Sequence, residues 1–82
     1  MSKFQKALER LKSKPKDFTW KELQAIMMHF NYEEIKGGGS RRKFVNMDTK
    51  AIISLYEPHP KPILKRYAVE IIIDHLKEQS LL

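Results

Sequence analysis

Residues 32–56, YEEIKGGGSRRKFVNMDTKAIISLY, hold three short β-prone runs separated by two turns. Tyr32 to Lys36 is the first run, and Gly37-Gly38-Gly39-Ser40 is a turn. Arg41 to Asn46 and Ala51 to Tyr56 are the other two runs, joined by Met47-Asp48-Thr49-Lys50. Strand-length runs bounded by glycine and polar clusters predict a three-stranded antiparallel meander.

On either side the period changes from strand to helix. Ser2 followed by Gln5 has the spacing of a capping box, and Phe4, Ala7, Leu8 and Leu11 then recur on one helical face. This predicts a helix over about residues 3–13, ended by Pro15, because the residue before a proline is pushed out of the helical region. Thr19 with Glu22 makes a second capping box, and Trp20, Leu23, Ile26, Met27 and Phe30 form the apolar stripe of a second helix that stops near Asn31. Downstream of the strands, Pro58, Pro60 and Pro62 forbid ladder pairing and make a rigid connector. From Ile63 onward, Leu64, Ala68, Ile71, Ile72 and Leu76 recur at helical spacing, predicting a last helix that runs to about Glu78. The order is α-α-β-β-β-α, an α+β fold with its helices on one face of the sheet and the other face open.

Eighty-two residues make a single domain over residues 1–82, with a core from about residue 17 onward and one modest hydrophobic interior. An interior of that size leaves no room for a large buried cofactor, so a shallow, open site suited to a polymer is expected. With no cysteine in the chain, disulfides and thiolate metal sites are excluded. The first residues, MSKFQKALERLK, are charged and lack a long apolar run, so neither a signal peptide nor a membrane span is expected there, and the cytoplasm is the expected location. The net charge is +6, and its position says more than its size. Between Lys36 and Arg66 eight basic residues face only Asp48 and Glu57, so this segment carries the whole excess and the flanks are neutral. A solvated surface mixes its charges, whereas a surface that binds a polyanion concentrates one sign. The segment therefore points to nucleic acid, with a plain basic surface or an acidic protein partner as the alternatives.

Two local features carry possible chemistry. Gly37-Gly38-Gly39-Ser40-Arg41-Arg42-Lys43 combines a turn whose amides can approach an anion with three cations beside it. It is no P-loop, since no GK[ST] follows and no helix opens after it. Its plain alternative is a flexible hairpin turn next to an ordinary charged strand. Leu55-Tyr56-Glu57-Pro58-His59-Pro60 sets a histidine between two prolines, a restricted backbone useful to a proton-transfer group. RNA can be cleaved without metal when a 2′-hydroxyl loses a proton and the leaving oxygen gains one near neutral pH, which is work for a histidine. The plain alternative makes His59 an ordinary loop residue. His29 and His75 read as helix-surface or flanking residues. Three isolated histidines without cysteine or HExxH spacing give no metal motif. Trp20 and Phe30 read as core, and the four methionines as core filler or apolar surface.

Taken in order, Phe18-Thr19-Trp20, GGGSRRKF, the Pro58-His59-Pro60 element and the closing helix resemble the HicA-type mRNA-interferase toxins of bacterial toxin–antitoxin pairs, over nearly the whole chain from about Asp17. The resemblance implies a core like that of double-stranded-RNA-binding domains and a metal-independent endoribonuclease that needs no cofactor. It also implies cleavage of mRNA and restraint by a HicB-type antitoxin. It puts His59 in the catalytic role, with phosphates held by Lys36, Gly38, Gly39, Ser40, Arg41, Arg42, Lys43, Lys61, Lys65 and Arg66. Two positions depart from the family pattern. Many members carry a histidine directly after the Gly-Ser of the turn, where this chain has Arg41. In the branch that reads GSR, a histidine precedes the x-Pro-His-Pro element, and here that position is Tyr56. Three functions follow as expectations: an endoribonuclease, an RNA-binding module without chemistry, and a protein-interaction domain for an acidic antitoxin.

Overall fold

In the computed structural model, which describes residues 2–82, the chain forms α1 (Lys3–Lys12), α2 (Trp20–His29), β1 (Tyr32–Lys36), β2 (Arg41–Asn46), β3 (Ile52–Tyr56) and α3 (Arg66–Glu78). The strands make one antiparallel sheet in the order β1-β2-β3, the predicted meander. The α+β architecture and the element order are those expected from the sequence. None of the described helices is long and apolar enough to cross a membrane.

α1 and α2 each start where a side chain can satisfy a free amide of the first turn. The Ser2 hydroxyl accepts from the Gln5 amide at 3.2 Å. Thr19 and Glu22 make the full reciprocal box, with bonds of 3.2 and 3.1 Å. α1 ends at Lys12, and Lys14 beyond it takes a left-handed turn at φ 51° before Pro15. Ala7 and Leu11 of α1 are buried, and Arg10 bonds to both Glu22 and Asp17, which fixes α1 across the start of α2. Burial alone would raise the Glu22 carboxyl; hydrogen bonds from Arg10 and Thr19 outweigh it and hold the group below its ordinary range.

Alternation along the strands sorts the sheet into two faces. Tyr32, Phe44, Asn46, Ile53 and Leu55 are buried against the helices. They meet Phe18, Trp20, Leu23, Ile26 and Met27 from the α2 side, and Leu64, Val69, Ile72 and Leu76 from the α3 side, in one continuous core. Trp20 packs at a tilt against Phe44, with ring centroids 5.7 Å apart. Of the adjacent methionines, Met27 is core and Met28 is surface, 73 % exposed. At about 0.8 kcal/mol per buried methylene, Phe18 and Phe44, the largest fully buried side chains, contribute most to this small interior.

The last helix departs from the sequence expectation. It begins at Arg66, not Ile63, because the residues before it are bound elsewhere. Ile63 bridges Thr19; the Trp20 amide donates to the Pro62 carbonyl at 2.9 Å and the Leu64 amide to the Phe18 carbonyl at 2.8 Å. A short two-stranded contact thus ties the chain entering α2 to the chain entering α3, and Leu64 is core although it precedes the helix.

Candidate nucleic-acid interface

The open face of the sheet follows from the register. Arg41 stands opposite Tyr56, Lys43 lies between Ile35 and Ser54, and Val45 lies between Glu33 and Ile52. Arg41, Lys43 and Tyr56 are all exposed. One end of this face is therefore cationic and aromatic, while the opposite end carries the acidic Glu33 beside Val45 and the exposed Ile52.

The glycine turn sets where that end begins. The Gly37 amide donates to the Arg41 carbonyl at 2.9 Å, and the Arg41 amide donates to Gly38 at 3.2 Å. Gly39 sits at φ +62°, a conformation side chains disfavour, and a Cβ on Gly37 would stand only 3.1 Å from that of Arg41. Beyond the turn the Glu57 amide donates to the Ser40 carbonyl at 2.8 Å, so the β2–β3 pairing continues up to the Pro58-His59-Pro60 element.

Three hollows share wall residues here. Ile35, Gly37 and Gly38 line a small one with Arg41 and Lys43. Arg41 and Lys43, with Ser54 and Tyr56, line a groove of about 260 Å³. Tyr56 is also a wall of a cleft of about 490 Å³ that holds His59, Lys61, Lys65 and Tyr67. α3 opens onto this cleft at Lys65 with no side-chain cap, so the positive end of its dipole adds to the potential set by the two lysines.

Of the residues expected to hold phosphates, Arg41, Lys43, Lys61 and Lys65 thus border a tract of adjoining hollows with Tyr56 and His59. Arg42 does not join them as a free cation. Alternation turns it to the helix-covered side, where its side chain is 14 % exposed and bonds to Glu57 at 3.0 Å, with Glu34 at 3.8 Å. Its Nη1 donates to the Gly39 and Arg41 carbonyls at 3.0 and 2.7 Å. Lys36 pairs with Arg42 in the register and follows it to that side. Arg66 bonds to Glu70 one turn along α3, at 3.2 Å. Gly38 and Gly39 are exposed at the turn, whereas Ser40 is half-buried.

The remaining histidines have other partners. His29 is exposed and stacks on Phe4, with ring centroids 3.6 Å apart. His75 Nε2 lies 2.6 Å from the Tyr32 hydroxyl. Burial lowers the His75 imidazole from its ordinary value, against a smaller opposing pull from Glu78, and burial raises the Tyr32 phenol. No cluster of three or more metal-ligating side chains occurs among the described residues. Two features of the site went unseen in the sequence. Tyr67 reads there as one more residue on a helix face, and the Arg42–Glu57 pair joins residues 15 apart, which only strand pairing brings together.

Compared with known families, residues 20–78 match the family described as HicA toxin of bacterial toxin-antitoxin. The match takes in α2, the sheet and α3 and leaves α1 outside. Neither the curated proteins nor the solved structures gave a significant match.

Proposed function

The chain belongs to the HicA toxin family of bacterial toxin–antitoxin systems, and from that premise we propose that it is an RNA-binding endoribonuclease acting on mRNA in the cytoplasm, restrained by a HicB-type antitoxin. The observation that carries this reading is the double position of Tyr56. It faces Arg41 across the sheet and walls the cleft that holds His59, so phosphate-binding cations and a proton-transfer group border one tract.

The chemistry needs no metal. Arg41 and Lys43 hold the backbone phosphates by charge, and in the transition state they offset the charge that gathers on the phosphoryl oxygens. His59 takes the proton from a 2′-hydroxyl, whose oxygen attacks the adjacent phosphorus. The bond to the 5′ oxygen breaks, and His59 returns the proton to that leaving oxygen. The products are a 2′,3′-cyclic phosphate and a 5′-hydroxyl end.

A second reading, an RNA-binding module without turnover, is favoured by one observation: the position where a family branch carries a histidine is Tyr56. Incubating the pure protein with mRNA in EDTA separates the two. Slow, EDTA-resistant cleavage that His59→Ala abolishes is the expected result. Salt-sensitive binding without cleavage would leave the second reading, and absence of RNA binding would remove both.

A further inference from the structure

The cleft beside His59 has two aromatic walls. Tyr56 closes it from the end of β3 and is 64 % exposed; Tyr67 closes it from the first turn of α3 and is 62 % exposed. Single exposed aromatic residues are ordinary on a protein surface. Two such rings on one concave cleft, with Lys61 and Lys65 on its rim, are a different arrangement. Neither tyrosine belongs to the core, two of whose members, Leu64 and Ala68, line the same cleft. A nucleobase has an aromatic face to stack and a phosphate at each side, so cations flanking open rings match one nucleotide unit. A base inside a duplex is already stacked and cannot present that face.

We propose that Tyr56 and Tyr67 form a nucleobase-stacking subsite, and that the RNA taken at this cleft is single-stranded. The proposal rests on the RNA-binding reading above and narrows it: the fold resembles that of double-stranded-RNA-binding domains, but this cleft selects an unpaired nucleotide. The two rings grip the base next to the scissile phosphate, while Lys61 and Lys65 hold the backbone beside it. Tyr67 is a binding residue here and takes no part in proton transfer.

The test measures binding of a 2′-O-methyl oligouridylate, which lacks the attacking hydroxyl, against a strand with the same phosphates and no bases, and against the corresponding duplex. Unmodified protein should bind the base-bearing strand about tenfold more tightly than the abasic one, within the range that stacking of one base provides. Tyr67→Leu should remove most of that preference and leave the salt dependence unchanged, because stacking releases no counterions. Tyr67→Phe should keep it. Equal affinity for the two single strands, preference for the duplex, or equal weakening of both strands by Tyr67→Leu would each overturn the subsite while leaving an RNA-binding protein. Loss of antitoxin binding with the base preference intact would assign the two rings to the protein partner instead. Absence of binding to all three RNAs would overturn the RNA-binding reading itself.

Discussion

Arg42 and Glu57 stand 3.0 Å apart across the β2–β3 pair, and the same guanidinium holds the Gly39 and Arg41 carbonyls of the glycine turn. Glu34, itself bonded by Gln24 at 2.7 Å, completes the surroundings. This cation is structural: it fastens the turn to the residue that leads into Pro58-His59-Pro60.

Arg42→Ala leaves two partly covered carboxylates without their partner. A loss of about 1–3 kcal/mol in unfolding free energy is expected, measured by urea titration. The salt dependence of RNA binding should not change, since the Arg42 guanidinium is held by Glu57, Glu34 and the turn carbonyls on the helix-covered side. A slope reduced by a full contact would show that Arg42 turns outward when RNA binds.

Arg41 and Lys43 behave in the opposite way. Both are exposed on the groove and carry no ion pair among the described residues. The Arg41→Ala, Lys43→Ala double variant should keep its stability within about 0.5 kcal/mol. It should lower the slope of log affinity against log salt by about one to two units, at roughly 0.7 per contact on a single strand. Affinity that does not respond to salt in the unmodified protein would exclude this tract as the phosphate path.

Much of this site is legible in the sequence because its residues are close along the chain. The charge excess between Lys36 and Arg66, the glycine turn and the proline-flanked His59 are all local patterns. What sequence reading cannot assign is the face a strand residue takes, because that depends on the register. Arg41, Arg42 and Lys43 look equivalent as three adjacent cations, yet pairing with Tyr56, Leu55 and Ser54 sends the middle one to the opposite side. The start of α3 is not legible in the sequence for a related reason. Ile63 and Leu64 fit the helical period, but Thr19 and Phe18 claim them through contacts more than 40 residues apart in the chain.

The antitoxin should compete with RNA. A partner that silences the tract has reason to cover it, and cations at Arg41, Lys43 and around His59 favour acidic residues on that partner. In a titration, a HicB-type protein should displace bound RNA, and Arg41→Ala with Lys43→Ala should weaken both ligands. Simultaneous, independent binding of both would rule out a shared surface.

Acid should loosen the fold through His75. Its folded-state pKa lies below the ordinary 6.5, mainly through burial, so the unfolded chain takes up a proton more readily than the folded one. This contribution is fully present above pH 6.5 and is lost as the pH falls from there through the lower folded value. The Glu22 carboxyl, whose pKa is held below its ordinary 4.5, acts in the same direction in a separate, more acidic window. Urea midpoints should therefore fall between pH 7.5 and pH 5.5, a range chosen to bracket the ordinary histidine value, and His75→Phe should flatten that change. An equally steep fall in His75→Phe would assign it to other groups.

The sharpest prediction concerns Tyr56. It lines the cleft with His59, and only Glu57 and Pro58 separate the two in the chain. A phenol holds its proton at neutral pH and is a poor base, whereas an imidazole can accept and return one there. Arg41 opposite cannot serve, because a guanidinium stays protonated. The unmodified chain should therefore bind RNA and cleave it weakly. A positioned acid or base contributes about 10²- to 10⁴-fold in rate, so Tyr56→His should raise cleavage by at least about tenfold, a modest part of that range. The position is exposed at a strand end, so the replacement should leave the unfolding midpoint nearly unchanged. An imidazole ring also stacks on a base, so affinity for single strands should fall much less than turnover rises. His59→Ala in the Tyr56→His background should then reduce cleavage again, because the proton would have lost one of its two carriers. Equal cleavage by the unmodified chain and Tyr56→His would leave His59 as the only proton-transfer group and make Tyr56 a binding residue alone.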